Sequence, residues 1–83
     1  MPRYFFNVRD GQQLNEDPEG IDLDGLSAVE NEAMTSAKEI IAEALLSGRP
    51  APLGHSFEII DEEGNMILEF LFARAAHETG PQP

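Results

Sequence analysis

Ser56-Phe57-Glu58-Ile59-Ile60-Asp61-Glu62-Glu63-Gly64-Asn65-Met66-Ile67-Leu68-Glu69-Phe70-Leu71-Phe72 decides the fold. On each side of Glu62-Glu63-Gly64-Asn65 the residues are apolar and β-branched or aromatic. The turn places glycine where a positive φ is needed, so Ser56 to Asp61 and Met66 to Phe72 read as the two strands of a hairpin. Two registers are open. A two-residue loop at Glu63-Gly64 pairs Phe57 with Phe70 and Ile59 with Leu68, leaving one face free of charge and Ile60 opposite Ile67 on the other. A three-residue loop with a glycine bulge puts Ile60, Met66, Leu68 and Phe70 inside and buries Glu58, which without a partner costs several kcal/mol. The first register is preferred. It sets Glu58 opposite Glu69 in the solvated layer, a small repulsion.

Upstream, Arg49-Pro50-Ala51-Pro52-Leu53-Gly54 cannot continue a helix, because proline lacks the amide donor and restricts the residue before it. Before that loop, Val29, Ala33, Ala37, Ile40, Ala44 and Leu45 recur at three- and four-residue steps, with Glu32, Glu39 and Glu43 opposite. This spacing predicts an amphipathic helix that starts at about Leu26 to Ala28 and runs to about Ser47, stopped by Gly48. Ser27 with Glu30 forms a capping-box pattern, and Asp24 is the rival N-cap. The alanines let the helix axis lie close to a sheet of large aromatics.

Nearer the start, Arg3 to Val8 reads as a strand ending at Asp10-Gly11, a type I′ hairpin pair that sets Arg9 opposite Gln12, Val8 opposite Gln13 and Asn7 opposite Leu14. Asp17-Pro18-Glu19-Gly20 has the composition of a type I turn, with extended chain resuming at Ile21 to Leu23. Ala73 to Glu78 can add a helical turn. The expected fold is α+β: an antiparallel sheet from two β-hairpins with one amphipathic helix on one face, in the order ββαββ. Residues 1–76 form the single domain, and 77–83 a flexible C-terminal tail.

One helix covers only one face of a sheet. Phe57, Ile59, Leu68 and Phe70 can meet it, whereas Ile60, Ile67 and Leu71 then project from the other side, joined by Phe5 of the first strand. An antiparallel sheet with a solvated side normally alternates cleanly, so a second apolar stripe calls for a cover. Phe5, Ile60, Ile67 and Leu71 are therefore the candidate interface, for a second copy in a homodimer or for another protein.

Composition narrows the function further. Sixteen acidic residues against five basic ones give a formal charge of −11, which repels phosphate backbones and anionic membranes. Nucleic acid and membrane are not expected partners. Cysteine is absent, which removes disulfides, thiolate catalysis and sulfur-bound zinc. No apolar stretch reaches the length of a signal peptide or a membrane span, so a cytoplasmic location is expected. His55 and His77 have no metal-ligand spacing around them, and Asp22-Leu23-Asp24-Gly25 carries only part of a calcium-loop pattern. No glycine-rich phosphate loop occurs. The reading is a protein with no catalytic constellation, cofactor or metal. An acidic decoy, or antitoxin-like regulator, that binds a basic protein by charge is the alternative.

The opening Arg3-Tyr4-Phe5-Phe6-Asn7-Val8-Arg9-Asp10-Gly11, the later Asp17-Pro18-Glu19-Gly20, the alanine-rich acidic helix and Phe57-Glu58-Ile59-Ile60-Asp61-Glu62-Glu63-Gly64 together resemble a family of short bacterial proteins described as a domain of unknown function. The likeness spans about Met1 to Phe72, and family members often carry histidine where this chain has Asn7. The resemblance implies a bacterial, cytoplasmic protein and supplies no catalytic residues.

Overall fold

A computed structural model describes residues 1–78, in the order β1 (Arg3–Asp10), β2 (Gln13–Asn15), β3 (Ile21–Asp22), α1 (Leu26–Leu46), β4 (Ser56–Ile60), β5 (Met66–Leu71) and α2 (Phe72–Glu78). The sheet is antiparallel with strand order β2-β1-β4-β5, and β3 also pairs with β1. The α+β class and the hairpin, helix, hairpin plan hold, with β3 as a short addition. Because β4 takes one edge of β1, β2 and β3 share the other. Val8 to Asp10 pair with β2, and Arg3 and Tyr4 pair with β3. Strands β1 and β4 thus lie side by side at the centre.

The first hairpin turns one residue later than expected, which shifts its pairing by two. Val8 faces Asn15, Arg9 faces Leu14 and Asp10 faces Gln13, so the loop is Gly11-Gln12. Gly11 leads the pair with φ 62°, the position at which a type II′ turn takes glycine. A shift of two leaves every side chain on the face it would otherwise have had.

Helix α1 starts at Leu26, behind Gly25 as N-cap, and no side chain caps it; neither Ser27 nor Asp24 plays that part. The end follows expectation. Gly48 has φ 75°, its N–H donates to the Leu45 carbonyl and the Arg49 N–H to the Ala44 carbonyl, the paired bonds of a Schellman stop. The buried stripe is Val29, Ala33, Ala37, Ile41 and Ala44. Ile41 replaces the expected Ile40, and Leu45 is exposed. Steps of four carry the buried line around the helix, so a stripe that begins at Val29 reaches Ile41 rather than Ile40.

The second hairpin combines both registers open in the sequence. Glu62-Glu63-Gly64 form a three-residue loop: the Gly64 N–H donates to the Asp61 carbonyl, the Asp61 N–H to the Asn65 carbonyl, and Gly64 takes φ 87°. Ile60 therefore faces Met66. A bulge then inserts Ile67, and from Ile59 opposite Leu68 to Phe57 opposite Phe70 the preferred pairing holds. The bulge reconciles a three-residue turn with a charge-free inner face, and Glu58 stays out of the core.

Both helices pack on the same side. Val29, Ala33, Ala37 and Ile41 of α1 and Phe72 and Ala75 of α2 form one buried cluster with Phe57, Ile59 and Phe70 of the sheet. The Phe57 and Phe72 rings lie 4.8 Å apart, and Phe6 meets Phe57 edge-on at 5.6 Å. The chain turns straight from β5 into α2, held where the Phe72 N–H donates to the His55 carbonyl at 3.0 Å. Helix α2 includes the turn expected at Ala73 to Glu78, so His77 and Glu78 belong to it and not to the tail. The rest of that tail, 79–83, lies outside the described residues.

Candidate functional site

Residues directly opposite one another in paired strands share a face. The face away from the helices accordingly has three cross-strand rows. The first is Leu14, Arg9, Ser56 and Leu71; the second Asn7, Glu58 and Glu69; the third Phe5, Ile60 and Met66. The third row is apolar and the second polar, while the first has leucines at its two ends with Arg9 and Ser56 between them.

The polar middle is closed by charge. The Arg9 guanidinium grips Glu58 through Nε to Oε2 at 2.8 Å and Nη2 to Oε1 at 3.3 Å. This hydrogen bond, reinforced by the charge attraction, outweighs desolvation and holds the Glu58 carboxyl below the usual carboxylate range while raising Arg9. Glu58 thereby gains a cation beside it as well as the expected Glu69 opposite.

At the β1 edge the chain covers itself. Residues 16–20 interrupt the pairing between β2 and β3, and Asp17 takes over the missing contacts. Its carboxylate accepts from the backbone N–H groups of Phe6, Glu19 and Gly20, each at 3.1 Å, and its own N–H donates to Asn7 Oδ1 at 2.8 Å. Burial alone would raise the Asp17 pKa, but the three donors from Gly20, Phe6 and Glu19 outweigh it, and the net shift is downward. Gly20 (φ 72°) lies so close that a Cβ there would sit 2.9 Å from both the Phe5 ring and Arg3 Cγ. Asn7 is left only 4% exposed although it points away from the helices.

Asp61 shapes the hairpin tip in the same manner, accepting from the Asn65 N–H and Glu63 N–H at 2.9 Å. These bonds, Asn65 first, lower its pKa.

The candidate interface is thus only partly assembled. Phe5 and Ile60 face each other, both half-buried, and Leu71 stands 56% exposed at the far corner of the same face. Ile67 does not join them. As the bulged residue it turns to the helix side and packs against the buried cluster. Met66, 56% exposed, takes its place beside Ile60, and Leu14 adds a half-buried side chain at the opposite edge. The three-residue turn was the signal for Met66, since that loop alone sets Met66 against Ile60.

Elsewhere, His55 Nε2 lies 3.3 Å from Asp10 and its ring 5.9 Å from that of Phe72. Asp22 pairs with Arg3 at 3.1 Å, and Arg74 lies 5.1 Å from the centre of the Phe70 ring. Among the described residues no group of three His, Cys, Asp or Glu side chains is placed to hold a metal ion, and no helix is long and apolar enough to cross a membrane.

The fold defines a small α+β domain whose sheet, among the described residues, is covered by helices on one side only. The chain belongs to the family Domain of unknown function (DUF6894), whose model matches residues 3–73. That span takes in all five strands and α1 and ends at the second residue of α2. No curated protein and no solved structure matches the chain.

Proposed function

We propose that this protein is a noncatalytic interaction module that docks on another protein through the helix-free face of its sheet. One observation carries the reading: α2 packs beside α1, so Met66 and Leu71 stand more than half exposed at the ends of that face. Exposed apolar side chains flanking a fixed polar centre suit recognition, in which the rows supply contact and the Arg9–Glu58 pair supplies register. A second copy is the weaker candidate, because it would bring another eleven net negative charges to the contact. The family resemblance supports a bacterial, cytoplasmic setting, and the negative charge disfavours nucleic acid and anionic membranes as partners.

Capture from an extract of the source cells tests the reading. A protein retained by the native chain and by Leu46→Ser, yet lost with the double variant Met66→Ser and Leu71→Ser, is the expected result. Equal retention by all three would remove the proposal. The acidic decoy is the second reading, favoured by the sixteen carboxylates. Under it, retention collapses between low and physiological ionic strength whichever face is altered.

A further inference from the structure

We infer that the groove between the 16–20 loop and the β4–β5 hairpin tip binds an extended cationic peptide segment of the partner, an inference that rests on the docking reading above. The groove encloses about 470 Å³, with Phe5, Ile60 and Pro18 as apolar lining, Asn7 among them, and Glu16 and Glu62 as acidic walls.

Asn7 points to a ligand independently of the charge. Its Oδ1 accepts the Asp17 N–H, which fixes the amide orientation and makes the other terminal atom an NH2 donor. That donor has no partner among the described residues, although the residue is only 4% exposed. No sealed side-chain nitrogen or oxygen lacks a partner among those residues, so this NH2 keeps some access to solvent, and Asn7 is one of the residues that line the groove. A backbone carbonyl of an extended peptide is the group that would satisfy it.

The walls select charge. Asp17 and Asp61 hold backbone N–H groups and are committed to the fold. Glu16 has no partner among the described residues, and the one contact of Glu62 is a 3.4 Å hydrogen bond from the Arg3 N–H. Arg3, whose backbone meets Glu62, and Arg9 are already paired, with Asp22 and Glu58. A peptide bearing arginine or lysine on alternate residues, with apolar side chains between, therefore matches carboxylate walls, an apolar lining and a lone amide donor together.

The probe is an eight-residue peptide alternating leucine and arginine, with glutamine replacing arginine in its control, measured by fluorescence anisotropy at about 0.15 M salt. The arginine peptide is expected to bind and the control to fail. The double variant Glu16→Lys and Glu62→Lys is expected to weaken binding roughly tenfold, while Glu39→Lys with Glu43→Lys, on the exposed side of α1, changes it less than about twofold. On titration the Asn7 side-chain amide resonance is expected to shift. Absence of binding would overturn the inference, as would equal weakening by both double variants, which signifies a diffuse acidic field. If binding is absent while capture still depends on Met66 and Leu71, only the cationic-peptide inference falls. If capture is also indifferent to those residues, both readings fall.

Discussion

The two faces of one sheet are held by different physics. On the helix side, Phe57, Ile59 and Phe70 lie under Val29, Ala33, Phe72 and Ala75, and stability comes from removing apolar surface from water. On the other side, order comes from directed polar contacts: the Arg9–Glu58 fork, the Asp17 carboxylate with its three backbone donors, and Asn7 locked by Asp17. The comparison teaches that a face can be well ordered without being covered. Burial makes a core and leaves nothing to bind, whereas side chains fixed by hydrogen bonds keep their shape with their apolar neighbours still in water.

Removing core volume should do the most damage. Phe70→Ala is expected to cost about 3–5 kcal/mol, much of the roughly 4–12 kcal/mol that a domain of this size holds, and urea unfolding will measure it. Next comes Asp17→Ala, which frees the Phe6 N–H and unties the 16–20 loop, for a loss of roughly 2–3 kcal/mol. The Asp17 pKa is lower in the folded chain than in the unfolded one, where an aspartate titrates near about 3.9. Its contribution is therefore complete above that value and disappears as the pH falls through the depressed folded value. Urea midpoints at pH 7 and pH 3 should differ less in Asp17→Asn than in the native chain; an undiminished difference would assign the acid sensitivity to other groups.

Gly20→Ala is a finer probe of the polar side. A left-handed φ costs a non-glycine residue about 1–2 kcal/mol, and the added carbon would push on the Phe5 ring. A thermal melt within error of the native one would show that the loop does not rest on Phe5. The smallest effect is expected for Arg9→Met, a slight loss of stability at low salt that added salt diminishes, because the pair is partly exposed.

Much of the helix side was legible in the sequence. Period-two alternation in Phe57 to Ile60 and Leu68 to Phe70, together with the charge on Glu58, selected the pairing that the core uses. Gly48 marked the end of α1, since that signal is local, whereas the start lies where the capping pattern pointed although neither Ser27 nor Asp24 caps it. The helix-free side was legible only in part, because it depends on which strands become neighbours. Nothing within β1 or β4 alone says that Arg9 will stand diagonal to Glu58, so Glu58 was seen only against Glu69. Ile67 escapes a reading by turn length, because the two lengths look like alternatives in the sequence whereas a bulge satisfies both. The covering role of residues 16–20 escaped for a related reason: Asp17 looked like the first residue of an ordinary turn, and its long-range partners Phe6 and Asn7 appear only once the edge of β1 is known.

Whether the second face is open in the free chain can be measured directly. With a soluble paramagnetic probe and the dilute protein, methyl resonances of Met66 and Leu71 should broaden strongly while those of Ile59 and Val29 stay sharp. Protection of Met66 and Leu71 equal to that of Ile59 would mean that the face is already covered, and the account of an interaction surface would be contradicted.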